Sequence, residues 1–161
     1  MTFPDPTVTL HEQPEDALLA LTVLGEAEGE SPEGKAAVAH VVVNRMRQKA
    51  RGVSDIVLAP WQFSCWNAGT YRAQFLADTL AKAAGNIPTG MWASCWVAAH
   101  NALTGQSADP TQGASHYCTN NLFGVDDSKR DRPRWHSRQE IESGRTRMTT
   151  RIGGHTFAVA A

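Results

Sequence analysis

Apolar positions recur at helical spacing over residues 14–28, at Leu18, Leu19, Leu21, Thr22 and Leu24, and they predict a helix there. Pro14 suits a first turn, and Glu15 and Asp16 are favourable at the positive end of the helix dipole. Gly25 and Gly29 loosen the last turn. Ser31-Pro32-Glu33 then supplies an N-cap, a first-turn proline and a first-turn acid for a second helix running to about residue 50. Two helices should therefore meet at a tight, acidic corner. A short helix is expected over residues 54–58, ahead of Pro60, and longer ones over residues 71–84 and 91–103, the last closed by Gly105 as a left-handed cap. Residues 61–70 read as a loop rich in aromatic and amide groups, and 106–134 as loop throughout. Residues 148–152 and 155–159 alternate and are joined by Gly153-Gly154, the signal of a two-residue hairpin with both glycines at positive φ. The first thirteen residues are proline-rich and aperiodic, an extended surface tail before a single domain at 14–161. The fold class expected is mainly α (α+β), a helical domain with a small C-terminal β-hairpin.

Composition removes several functions. The 161 residues can bury a core without staples, and the longest apolar runs are too short to span a bilayer, so membrane insertion is not expected. Fifteen Lys and Arg against sixteen Asp and Glu leave a formal charge of -1, which argues against a nucleic-acid partner. Cys65, Cys95 and Cys118 are an odd set without a CxxC spacing, so reduced thiols are expected rather than disulfides or a zinc knuckle. The histidines form no metal-binding pattern, and no metal or cofactor is expected. The start of the chain lacks the charged and apolar regions of a secretory signal, which suggests synthesis in a cytoplasm.

The chemistry concentrates in Gly25-Glu26-Ala27-Glu28-Gly29-Glu30, running to Gly34. Acids often cluster at solvated corners, but a carboxylate at the last turn of an apolar helix meets the negative dipole end and partial desolvation. Both disfavour its charge, as an acid catalyst requires. This segment, followed by Ala37-Val38-Ala39-His40-Val41-Val42-Val43-Asn44-Arg45, resembles the SleB-type, spore cortex-lytic family of cell-wall hydrolases. Gln62-Phe63-Ser64, Ala114-Ser115-His116-Tyr117 and Ile152-Gly153-Gly154-His155-Thr156-Phe157 continue the resemblance in order. It implies a lysozyme-like, lytic-transglycosylase type of fold and cleavage of the β-1,4 bond between N-acetylmuramic acid and N-acetylglucosamine in peptidoglycan glycan strands. The catalytic acid of the family falls on Glu26. Glu28 departs from the arginine common in relatives, and residues 65–91 look longer than in the spore enzymes.

Ser64, His116, Tyr117 and Gln62 are candidates for binding substrate around Glu26. Trp61 and Trp66, in a loop, are candidates for the groove, whereas Trp92 and Trp96, one helical turn apart, suit the core. Ser64 also reads as a loop hydroxyl and Tyr117 as core packing. A second carboxylate could come from Glu30, Asp55 or Asp78, but no spacing selects one; a single acid suffices if the muramic 6-hydroxyl is the nucleophile, so transglycosylation is favoured over hydrolysis. The rival readings are a zinc-dependent amidase or peptidase using His116, Cys118 and His136, and a non-enzymatic wall-binding module. The setting expected is a monomeric phage endolysin that a holin releases to the periplasm.

Overall fold

The computed structural model describes residues 1–81 and 89–161. Its helices are α1 (Glu15–Ala27), α2 (Pro32–Lys49), α3 (Val53–Val57), α4 (Tyr71–Ala81), α5 (Thr89–Thr104) and α6 (Arg138–Glu142). The helix expected over 71–84 is present to Ala81, and its last three positions lie outside the described residues. Gly105 has the expected left-handed φ of 72°.

α1 is the axis of the domain. Its residues from Ala17 to Gly25 are all buried, as befits a helix that is apolar on every side. Small residues on α5, namely Cys95, Ala98, Ala99 and Ala102, let that helix approach closely, and Trp92 fills the space beside them. α2 is apolar on two faces. Val38, Ala39 and Val42 join the main core, while Ala37 and Val41 pack against Ala114, Ile152 and Phe157 in a smaller core under the sheet.

The N-terminal residues are held more firmly than a surface tail. Phe3 stacks on Trp92 at 5.8 Å, Trp92 Nε1 donates to the Thr2 carbonyl at 3.1 Å, and the Gln13 side chain bonds the Asp5 backbone through both its amide groups. Aperiodic sequence concealed these contacts because each is made with a distant side chain.

The β element is larger than a hairpin. β1 (His116–Thr119), β2 (Thr146–Ile152) and β3 (His155–Ala160) form an antiparallel sheet in the order β1-β3-β2, with Tyr117 opposite Phe157. β1 falls within the stretch expected to be loop, and its four residues are too few to announce themselves by alternation. In the hairpin turn only Gly153 has the positive φ expected of both glycines, at 54°. Glu30 fills the space behind this turn: Gly154 N donates to Glu30 Oε2 at 3.4 Å, and Gly34 leaves room because a Cβ there would come within 2.8 Å of Glu30 Cβ. The α1–α2 corner and the hairpin are thereby locked together.

A Cβ on Gly153 would run into the Glu30 carboxylate. Gly153→Val combines that clash with a β-branched residue at positive φ, and should cost about 3 kcal/mol of unfolding free energy in urea titrations. A loss below about 0.5 kcal/mol would contradict this account of the turn.

Candidate active site

Glu26 stands one residue before the end of α1, half-buried, at the floor of a cleft of about 410 Å³. The cleft separates the helical layer from the sheet. α1 ends cleanly there because the Lys35 ammonium, itself buried, donates to the Glu28 and Glu30 carbonyls.

Three donors converge on the Glu26 carboxylate. Ser64 Oγ donates to Oε1 at 3.0 Å, the Cys65 backbone N–H donates to the same oxygen at 2.7 Å, and the Tyr117 hydroxyl donates to Oε2 at 2.8 Å. The sequence suggested a desolvated carboxylate; the structure instead surrounds it with directed polar groups. Burial first, and then the neighbouring Glu26 carboxylate, push the Tyr117 phenol well above the usual tyrosine range, so it keeps its proton at neutral pH.

Each partner is delivered by a separate device. The 63–66 turn can reach α1 only because residue 25 is glycine, since a Cβ there would lie 2.5 Å from Cys65 Cβ and 2.9 Å from Leu76 Cδ1. Phe63 anchors the turn in the core beneath the Arg45 guanidinium, which lies 5.0 Å from the ring centroid. β1 is tied down by the Asn44-Arg45 pair on α2. Asn44 Nδ2 donates to Asp109 and to the Ala114 carbonyl, both at 2.9 Å, and Arg45 Nε donates to the Ser115 carbonyl at 2.6 Å. Those bonds set the register from which His116 and Tyr117 follow.

Among the expected site residues, Glu26, Trp61, Gln62, Ser64, His116 and Tyr117 all line the cleft. Trp66 does not. Its indole turns inward, donating to Thr22 Oγ1 at 3.2 Å and packing on the main core. Trp61 is 83% exposed on the rim with φ of 64°, unusual for a bulky residue. Burial, reinforced by Arg45 and Lys49, pulls His116 down to about 4, so its ring is neutral at neutral pH.

Sequence reasoning missed Arg45, Trp135 and His155 as lining residues. Arg45 and His155 sat in quoted motifs without a role, and Trp135 had no local signal. Trp135 packs against His116 with ring centroids 5.1 Å apart, and His155 meets Tyr117 edge-on at 5.2 Å.

The other acids are used elsewhere. Glu28 pairs with Arg72 of α4, so the arginine absent from position 28 has a cationic substitute from another helix. Glu30 supports the hairpin, Asp78 accepts from Gln74 on α4, and Asp55 borders a different depression with Lys49 and Arg51. Among the described residues lining the cleft, Glu26 is the one carboxylate. No group of three His, Cys, Asp or Glu side chains among the described residues is placed to hold a metal ion. His116, Cys118 and His136 do not converge as a zinc site would need; His136 Nδ1 instead lies 2.9 Å from the Leu122 carbonyl.

A model of the cell wall hydrolase family matches residues 29–158, beginning three positions after Glu26. Among solved structures, the chain is similar to the catalytic domain of the Bacillus cereus SleB protein, with 24% identity over 89% of this chain and 88% of that one and a TM-score of 0.56. It is also similar to the catalytic domain of the germination-specific lytic transglycosylase SleB from Bacillus anthracis, with 23% identity over 89% and 92% and a TM-score of 0.57. At these identities the likeness establishes the fold. No curated protein matches the chain.

The close approach at Gly25 makes a specific prediction. Gly25→Ala should push the 63–66 turn away, withdraw the Cys65 N–H from Glu26, and cost about 1–3 kcal/mol of stability together with at least about tenfold in activity. Adding Cys65→Gly removes the opposing Cβ and should restore part of both. An active, fully stable Gly25→Ala single variant would refute the steric argument.

Proposed function

The chain belongs to the cell wall hydrolase family, and from that premise we propose that it cleaves the β-1,4 bond between N-acetylmuramic acid and N-acetylglucosamine in peptidoglycan, with Glu26 as its acid and base. We favour a lytic transglycosylase over a muramidase. The observation that carries this reading is that Glu26 is the lone carboxylate among the described residues of the cleft. Retaining and inverting hydrolases place two carboxyl groups across the bond, one to protonate the leaving oxygen and one to attack or to activate water. With one, the nucleophile is best drawn from the substrate itself. The Bacillus anthracis relative is described as a lytic transglycosylase, which supports the same choice.

The proton has a preferred seat. Oε1 faces the Cys65 backbone N–H, which cannot turn round to accept, whereas Oε2 faces only the Tyr117 hydroxyl, which can. In its acid form Glu26 places the proton on Oε2, with the Tyr117 hydroxyl then turned to accept, and gives it to the glycosidic oxygen as the bond to muramic C1 breaks. The same carboxylate then takes the proton from the muramic 6-hydroxyl while that oxygen bonds to C1. No water is consumed, and Glu26 ends deprotonated and reprotonated once. Trp61 on the helical rim and Trp135 on the sheet side offer flat faces to the sugar rings, and Gln62, Ser64 and His116 offer polar groups between them. The setting we propose is a phage-type lysin that reaches the periplasm through a holin, and co-expression with and without a holin would read it.

Glu26→Gln tests the chemistry with little disturbance to the fold. The amide oxygen can still accept from Cys65 and the amide nitrogen can donate to the Tyr117 oxygen, so the thermal midpoint should hold. The rate of clearing purified cell walls should fall by a factor of roughly 100 to 10,000. A variant that keeps more than about a tenth of the rate would point to a different acid.

A further inference from the structure

The segment from Val125 to Arg138 carries a charge pattern that the cleavage chemistry does not use. Residues 129–138 hold five basic side chains against one acid, in a chain whose overall formal charge is -1. The base of the loop is rigidly built. Arg134 forms a two-pronged pair with Asp127, at 2.8 and 2.7 Å, and its backbone N–H donates to the same carboxylate at 3.0 Å. Gly124 N bonds the His136 carbonyl and Arg138 N bonds the Val125 carbonyl, both at 2.8 Å. Gln139 bridges Asp126 and the Asp127 backbone. One arginine is therefore consumed in holding the loop, which leaves Lys129, Arg130 and Arg132 exposed at its tip around Asp131; no carboxylate among the described residues forms an ion pair with them. Three residues beyond Arg132, Trp135 lines the catalytic cleft.

We propose that this tip is a docking surface for the anionic stem peptide of the glycan strand being cut. The inference rests on the reading of the cleft given above. A strand seated with muramic acid beside Glu26 carries a peptide with free carboxylates on the lactyl ether of that sugar. Every muramic acid carries the lactyl group that bears such a peptide, whereas phosphate-bearing wall polymers are joined to only some muramic residues of a strand. A cluster of cations on the loop that runs into the cleft wall at Trp135, with Arg132 three residues and so at most about 10 Å of chain from that residue, is complementary to the peptide in charge. Solvent-exposed pairs of this kind contribute little singly, and three of them together are worth about tenfold in affinity at low salt. The benefit should fade as salt shortens the Debye length from about 8 Å to about 3 Å.

The test crosses the protein with its substrate. Wild type and a Lys129→Ala/Arg130→Ala/Arg132→Ala variant are each assayed on purified sacculi before and after removal of phosphate polymers by hydrofluoric acid, and on the stripped sacculi with stem carboxylates amidated by carbodiimide and ammonia. Co-sedimentation reads binding, and release of soluble glycan fragments reads cleavage. Loss of either partner's charge should weaken binding about tenfold, and losing both should weaken it no further. The thermal midpoint should not move, because all three side chains are exposed. The proposal is overturned if the triple variant binds native sacculi like wild type, if the two losses multiply, or if removing phosphate polymers alone abolishes the wild-type advantage. Failure of the cleft reading is seen separately, as wild-type protein that co-sediments in this charge-dependent way yet releases no fragments.

Discussion

Hydrogen bonds on the Glu26 carboxylate come from Ser64 and Cys65 on one oxygen and from Tyr117 on the other, across sequence separations of 38, 39 and 91 residues. No local preference could bring these groups together, so the rest of the fold can be understood as what their meeting requires. Gly25 admits the 63–66 turn, Phe63 and Arg45 hold it, and Asn44 and Arg45 fix the strand that bears Tyr117. A buried arginine bonded to a backbone carbonyl is a costly way to fasten a strand. Burial draws its guanidinium below the ordinary value, although Tyr117 and Glu26 act the other way. The return is position: the same side chain faces the cleft, the turn and the strand at once.

The separation of structural from reactive acids follows from the same geometry. Glu26, Glu28 and Glu30 are spaced two apart at the end of a helix, so they point in different directions. Glu28 turns to Arg72, Glu30 to the hairpin turn, and Glu26 to the cleft. A corner that reads in sequence as a pool of interchangeable carboxylates becomes, once folded, three groups with distinct partners.

This explains what the sequence disclosed and what it withheld. The helices were legible because their apolar positions repeat at short range, and Glu26, Ser64 and Tyr117 were legible because they sit in motifs whose order matches a known family. The family resemblance and the helical class with its small β element both stand. β1 was not legible, since four residues paired only with distant β3 carry no periodicity of their own. Trp66 was misjudged because loop position does not reveal which way an indole faces; its nitrogen finds Thr22, a residue that helical patterning had counted among the apolar ones. Trp135 and the basic tip beside it were overlooked for a related reason. What gives them meaning is the Asp127–Arg134 clamp, which shapes a loop whose Trp135 lines the cleft.

The central claim is that one carboxylate completes the reaction by using the substrate's own hydroxyl. Digestion of purified sacculi in water enriched in oxygen-18, followed by mass spectrometry of the released muropeptides, measures that directly. The account predicts 1,6-anhydromuramic ends that contain no heavy oxygen. Reducing muramic ends carrying one oxygen-18 would mean that water is the nucleophile, and would contradict it.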